Sequence, residues 1–117
     1  MTEGRSAAAK VIKAFFARDV PIDLFLPDGW SGGRPMENYH DLKSVSLLPE
    51  ELIVNLKGGF SLTVRGKSHS VRETVTKLLW PNGSPAVEIS EFTELIYRWP
   101  GGSSTYDGGV ALFVAGG

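Results

Sequence analysis

Cysteine is absent from this chain of 117 residues. Its absence excludes disulfides, thiolate catalysis, iron–sulfur clusters and Cys-ligated zinc, so the stability of the fold must come from packing. Long apolar runs are also missing. The apolar stretch near the start is interrupted by Lys10, Lys13 and Arg18, which makes it neither a signal-peptide core nor a membrane span. We therefore expect a soluble cytoplasmic protein with no membrane partner.

Strong charge of either sign is lacking as well, because 12 basic and 13 acidic residues leave a formal net charge of -1. A chain without a strong field is not expected to bind nucleic acid or anionic lipid. The basic residues of the middle region are followed closely by acidic ones, which predicts a mixed, solvated face. They are Lys57, Arg65, Lys67, Arg72 and Lys77, followed by Glu88, Glu91 and Glu94.

The length is enough to bury one hydrophobic core and not two, which predicts a single domain over residues 1–117. Hydrophobic residues make up 42% of the chain and charged residues 21%, far from the composition of disordered proteins. No linker, internal repeat or low-complexity tract divides the chain.

One helix is expected near the start, over residues 7–18, with Ser6 as its cap. Ala8, Val11, Ile12 and Phe15 recur at the spacing of a single helical face. Pro21 fixes its own φ and forbids continuation, so the helix should end near Arg18.

After Pro21 the apolar residues alternate with a period of two, which indicates strands. We predict strands over residues 22–26, 42–48, 51–57, 60–66, 70–79, 86–90, 92–99 and 110–115. Gly58-Gly59 predicts a two-residue hairpin turn, and residues 100–104 are expected to break the series. Segment 70–79 also fits a helix that starts with a capping box at Ser70 and Glu73, but its valines and threonines favour a strand.

Seven or eight short strands separated by Gly/Pro turns are typical of an antiparallel sandwich or a partly open barrel. The fold class predicted from the sequence is therefore mainly β (α+β), with one N-terminal helix that packs on a sheet or plugs an open end.

The best candidate site is the Gly- and Pro-rich segment 26–40, because loops on a rigid scaffold often carry a protein's contacts. Trp, Tyr and Arg dominate protein–protein hot spots, so we predict a contact site there. A structural role is the alternative, in which Trp30 covers a barrel end and polar side chains bond loop carbonyls. The predicted site residues are Trp30, Arg34, Asn38, Tyr39 and His40.

Catalytic and metal-binding patterns are weak. His40 and His69 match no metal-ligand spacing, so no cofactor and no metal are expected. Ser31, His40 and Asp28 could be assembled into a nucleophilic triad, but no G-x-S-x-G sequence supports one. The glycines of the loop lack the Lys-Ser/Thr that follows in a phosphate-binding loop. An enzyme is therefore not favoured.

The order of these pieces resembles small uncharacterised bacterial β proteins that share a Gly/Trp loop, a hydrophobic hairpin and an aromatic-rich terminal strand pair. Here the loop residues are Gly29-Trp30, Gly33-Arg34-Pro35, Asn38, His40 and Leu42. The hairpin is 52–64, and the strand pair is 92–99 with 106–114. The resemblance implies no activity and no catalytic residue.

The function that the sequence favours is a non-catalytic module that binds a partner protein, with an immunity or toxin-neutralising protein as one specific hypothesis. The alternative is a small-ligand-binding β-barrel or a small hydrolase-like enzyme that uses loop 28–40. In that case Trp30 stacks on the ligand, Arg34 binds an anionic group and His40 supplies acid–base chemistry. A deep lined pocket would favour the ligand, and a filled interior with a convex loop would favour the protein partner.

Overall fold

The computed structural model describes the backbone of residues 2–116 and the side chains of residues 6–116. Over this range the chain forms one helix and ten strands. They are α1 (Thr2–Phe16), β1 (Ile22–Leu26), β2 (Gly29–Trp30), β3 (Leu42–Leu48), β4 (Glu51–Leu56), β5 (Phe60–Arg65), β6 (Ser70–Thr76), β7 (Ser84–Ser90), β8 (Glu94–Trp99), β9 (Gly102–Tyr106) and β10 (Ala111–Ala115).

The strands form two five-stranded antiparallel sheets. Sheet I has the order β2-β1-β10-β7-β6, and sheet II has the order β3-β4-β5-β8-β9. Between residues 2 and 116 no strand of one sheet pairs with a strand of the other. The fold is therefore a sandwich with an added helix, which confirms the predicted mainly β class, although it has more strands than the predicted seven or eight.

The core lies between the two sheets, because alternate residues of each strand point to the same side. Leu24 and Phe113 of sheet I, together with Leu62 and Leu95 of sheet II, are completely buried. In the central hairpin Leu52 lies opposite Val64, and both side chains are completely buried in the core. Its loop spans residues 57–59 rather than two residues, since Leu56 pairs with Phe60.

Helix α1 covers one open side of the sandwich, where it contacts β3 of sheet II and β6 and β7 of sheet I. Ile12 and Phe15 of its apolar face are completely buried, as the helical spacing predicts. Ser6 does not cap this helix, because the helix already begins at Thr2. The helix ends two residues before Arg18, and Asp19 then adopts a φ of 57°, a left-handed conformation that a helix cannot continue through. Over the residues described, α1 is too short and too polar to cross a bilayer as a helix.

Two strands differ from the sequence prediction and one ambiguity is resolved. Residues 70–76 form a strand, so the helical alternative for this segment is wrong. Residues 100–104 are predicted to break the series of strands, but residues 102–106 form β9, whose Ser104 pairs with Tyr97 of β8. The two-residue strand β2 was not predicted, and it pairs with β1 through Phe25 and Trp30.

The exposed charges form local pairs rather than a basic stripe, as the mixed sequence predicts. Arg65 forms ion pairs with Glu51 and with Glu94 across neighbouring strands of sheet II. Arg72 pairs with Glu88 at 2.9 Å in sheet I. These pairs balance charge on the surface, and each exposed pair contributes little to stability.

We expect Phe15→Ala to lower the free energy of unfolding by about 3 to 5 kcal/mol, because it leaves a cavity where the helix meets the core. Urea denaturation measures this change. Lys13→Ala, an exposed position of the same helix, is the control and should change stability by less than about 0.5 kcal/mol. Equal effects of the two substitutions would contradict the helix packing described above.

Candidate functional site

A cleft lies at the side of the sandwich opposite to α1. The helix contacts β6 and β3, which are edge strands of sheets I and II, and the cleft lies beside the other two edge strands, β2 and β9. Its volume is about 390 Å³, within the range of small-molecule sites. It is lined by Leu26, Asp28, Trp30, Ser31, Gly32, Asn38, Phe60, Tyr97, Trp99, Pro100, Ser104 and Tyr106.

Sheet II supplies most of the aromatic surface of this cleft. Tyr97 and Trp99 are two residues apart on β8 and therefore share a face, with ring centroids 5.7 Å apart and planes inclined at 37°. Phe60 of β5 stacks beside Tyr97 with centroids 6.3 Å apart. Tyr106 of β9 joins them because it lies on the same face as Ser104, which pairs with Tyr97. Regular alternation on three neighbouring strands thus builds one aromatic wall.

The two sheets are joined at the cleft by a hydrogen bond between side chains. Tyr106 donates its hydroxyl to Oδ1 of Asp28 at 3.0 Å, which ties β9 of sheet II to the turn between β1 and β2 of sheet I. The pKa of Tyr106 is raised, first by burial and then by this bond to the Asp28 carboxylate. The tyrosine therefore stays protonated and keeps the bond at neutral pH.

The loop that connects β2 to β3 is held by a buried carboxylate. Asp23 of β1 is completely buried, and its Oδ2 accepts a hydrogen bond of 2.6 Å from the backbone N–H of Met36. Its Oδ1 accepts a second bond of 2.9 Å from the N–H of Leu24. Burial raises the pKa of Asp23, and the two backbone bonds partly oppose this shift. Met36 has a φ of 66°, a strained conformation for a non-glycine residue that this contact stabilises.

The end of the same loop forms the rear of the cleft. Asn38 donates its Nδ2 to the Tyr97 hydroxyl at 3.3 Å, and His40 Nε2 lies 3.4 Å from the same hydroxyl. The imidazole packs edge to face on Phe60, with centroids 4.9 Å apart. Burial raises the pKa of Tyr97, while contacts with the Ser31 and Asn38 side chains oppose the rise. Ser31 Oγ lies near Tyr97 but forms no hydrogen bond of normal geometry.

His40 is only 3% exposed, and desolvation lowers its pKa to about 4, although the nearby Asp41 carboxylate acts in the opposite direction. The imidazole is therefore neutral at physiological pH. Its position behind Phe60 and Tyr97 gives it a packing role, and the acid–base role considered from the sequence has no support from its contacts.

The five residues predicted as a site are only partly brought together. Trp30 and Asn38 line the cleft, and His40 lies behind its wall. Trp30 also packs edge to face on Phe25, with centroids 5.0 Å apart, so it contributes to the fold as well. Arg34 and Tyr39 are exposed and do not line the cleft, and the Arg34 side chain lies 3.6 Å from Glu37.

The sequence did not identify most of the cleft. Trp99 ends the predicted strand 92–99 and is not among the predicted site residues, yet it is 38% exposed and lines the cavity. Phe60 and Tyr106 are not among the residues considered from the sequence, and Asp28 is considered there only as part of a triad in loop 28–40. The alternation Tyr97-x-Trp99 was the available indication, but it becomes a wall only because β9, absent from the predicted strands, continues sheet II beyond β8.

The three residues of the triad considered from the sequence do not contact one another as a triad would. Asp28 bonds to Tyr106 and His40 contacts Tyr97, so Ser31, His40 and Asp28 do not form a relay. In the described part of the chain, no group of three or more His, Asp or Glu side chains could hold a metal ion.

Comparisons with protein-family models, with curated proteins and with solved structures find no match for this chain. The resemblance to small bacterial β proteins therefore stays a prediction.

We expect the stability of the protein to fall as the pH is lowered from about 6.5 to 4 because of His40. The unfolded chain binds a proton at the ordinary histidine pKa of 6.5, whereas folded His40 resists it until about pH 4. This difference corresponds to about 3 kcal/mol, present above pH 6.5 and lost towards pH 4. Urea denaturation at several pH values should show that the free energy of unfolding falls less on acidification in His40→Gln than in the wild type.

His69→Gln is the control for this experiment, since it removes the other histidine of the chain. Asp23 has a raised pKa, so its protonation on acidification favours the fold, but it is present in all three proteins and cancels in the comparison. If His40→Gln loses as much stability on acidification as the wild type does, the attribution of this loss to His40 is wrong.

We expect Asp23→Asn to release the loop, because the amide replaces an acceptor with a donor near the Met36 N–H. Cleavage after the exposed Glu37 by a glutamate-specific protease should become about tenfold faster or more, as local opening becomes easier. Asp107→Asn, at an exposed carboxylate, is the control. Equal cleavage rates in the two variants would show that Asp23 does not hold the loop.

Proposed function

We propose that this protein is a non-catalytic binding module that takes its ligand in the aromatic cleft between the edge strands β2 and β9. The observation that carries the proposal is the cavity of about 390 Å³ with Phe60, Tyr97, Trp99 and Tyr106 on one wall. Apolar cavities with a few polar groups are the usual form of ligand sites. Asp28 and Asn38 supply such polar groups here.

The cleft is held in shape before any ligand arrives, which supports this role. The Tyr106–Asp28 bond fixes its two sides, and the Asn38–Tyr97 bond fixes its rear. A preformed site loses less conformational freedom on binding than a flexible one. Trp99 keeps 38% of its surface exposed, so this large ring remains free to contact a ligand.

The protein partner favoured from the sequence is our second proposal, and it uses a different surface. Arg34, Met36 and Tyr39 are all exposed on the loop that Asp23 anchors. Arg and Tyr are frequent at the centres of protein interfaces. A toxin-neutralising role would place the partner on this loop, beside the cleft rather than within it.

The cleft proposal is tested by a ligand-detected NMR screen of a library that contains neutral, cationic and anionic fragments. We expect fragments that bind the wild type to bind Trp99→Ala at least about tenfold more weakly, because stacking on the indole is lost. Trp80→Ala is a matched control, since Trp80 is also a partly exposed indole, at 40%, but does not line the cleft.

Thermal unfolding of each variant checks that it is folded. If Trp99→Ala is unstable, Ser104→Trp provides a second test by filling the cleft from β9. The proposal is contradicted if no fragment binds, or if bound fragments are unaffected by both cleft substitutions. Binding of a protein partner that is lost in Arg34→Ala and retained in Trp99→Ala would favour the second proposal.

A further inference from the structure

The charged side chain among the described lining residues of the cleft is negative. Asp28 is its only carboxylate, and none of the lining residues in the part of the chain described here is Lys, Arg or His. Oδ1 of Asp28 accepts the Tyr106 hydroxyl, and among residues 6–116 no side chain donates to Oδ2. The site therefore combines aromatic faces with a carboxylate that retains acceptor capacity.

The nearest candidates for a balancing positive charge are directed elsewhere. Arg98 lies between Tyr97 and Trp99 on β8, so its side chain points to the opposite face of sheet II, where it donates to Thr63 Oγ1 at 2.9 Å. Arg34 is exposed near Glu37, and its side chain does not line the cleft. Among the described residues that line the cleft, an anionic ligand would meet no cationic side chain.

The cleft is lined by aromatic rings, a type of side chain that attracts cations. A cation is held over an aromatic face when it lies within about 6 Å of the ring centroid, and several such faces together form the cages that bind quaternary ammonium groups. Tyr97 and Trp99 have centroids 5.7 Å apart with inclined planes, and Tyr106 lines the same cavity. One ammonium group can thus contact more than one ring.

The raised pKa values of the two tyrosines are consistent with the excess of negative charge in the cleft. The pKa of Tyr106 is raised mainly by burial and further by Asp28, and the pKa of Tyr97 is raised mainly by burial and further by Asp23. Both carboxylates thus disfavour a second negative charge in this region. The same field favours a positive one.

We propose that the cleft binds an organic cation, specifically an alkylated ammonium group, with Trp99, Tyr97 and Tyr106 contacting the alkyl groups and Asp28 opposing the charge. This inference rests on the proposed function, since it names the ligand class of the same site. The ammonium group can belong to a free small molecule or to a methylated lysine side chain. The same rings and the same carboxylate would contact it in both cases.

The experiment compares choline with 3,3-dimethylbutan-1-ol, which replaces the quaternary nitrogen with carbon and keeps the shape. Isothermal titration of the full chain should give an affinity for choline at least about tenfold higher than for the neutral analogue. N-acetyl-trimethyllysine methylamide forms the second arm. Tighter binding of this probe than of choline identifies a lysine side chain as the source, and the reverse order identifies a free small molecule.

Two carboxylate variants test the role of charge without changing shape. Asp28→Asn should weaken choline binding by about threefold to tenfold and should leave binding of the neutral analogue unchanged. Asp107→Asn makes the same change at an exposed carboxylate that does not line the cleft, and it should leave both affinities unchanged. Thermal unfolding of both variants confirms that they are folded.

Failure of this inference is distinguishable from failure of the proposed function. The proposal of a cationic ligand is contradicted if the neutral analogue binds as tightly as choline. It is also contradicted if most fragments whose binding depends on Trp99 are anionic. In both cases the proposal that the cleft binds a ligand is retained. Equal effects of Asp28→Asn and Asp107→Asn would also overturn the assigned role of Asp28. If nothing binds in a manner sensitive to Trp99, both proposals fail together.

Discussion

The buried carboxylate of Asp23 is the contact on which the arrangement of the site depends. A carboxylate without solvent is unfavourable unless it is hydrogen-bonded, and here the N–H groups of Leu24 and Met36 meet that requirement. Because Met36 lies thirteen residues further along the chain, satisfying this group draws the whole loop onto sheet I. Asn38 and His40 then reach Tyr97 of sheet II, so an electrostatic requirement in β1 determines the rear wall of the cleft.

The cleft itself follows from how two open sheets meet. Each sheet has two edge strands, and the sandwich leaves a gap along each pair of edges. Helix α1 fills the gap between β3 and β6 with Ile12 and Phe15. The other gap is bridged by hydrogen bonds rather than by an element of the fold: Tyr106 donates to Asp28, and Asn38 and His40 contact the Tyr97 hydroxyl. A single fold thus provides one sealed side for stability and one open side for contact.

Much of the fold was predictable from the sequence, because apolar periodicity reports which face of an element is buried. Ile22, Leu24 and Leu26 alternate in the sequence and are all buried in β1. Strand β9 was not predictable in this way, since Gly102, Ser103 and Ser104 have weak strand preference and are ordered by pairing with β8.

The candidate site was less predictable than the fold. The composition of the loop indicated a segment that borders the cleft, but residue type does not determine the direction of a side chain, so Arg34 and Tyr39 were grouped with Trp30 although they do not line the cleft. The aromatic wall depends on which strands are neighbours. Tyr97 and Tyr106 become close only through the turn at residues 100–101, which the sequence presents as a break.

The place of α1 in the chain has a consequence for synthesis. The helix leaves the ribosome before any of the strands that cover it, and its partners β6 and β7 follow more than fifty residues later. Until those strands have been made, the helix lacks its packing partners in sheet I and can contact only β3 of sheet II, and short isolated helices are marginal in water. The nascent chain therefore exposes part of the apolar face of α1 until β6 and β7 have been made.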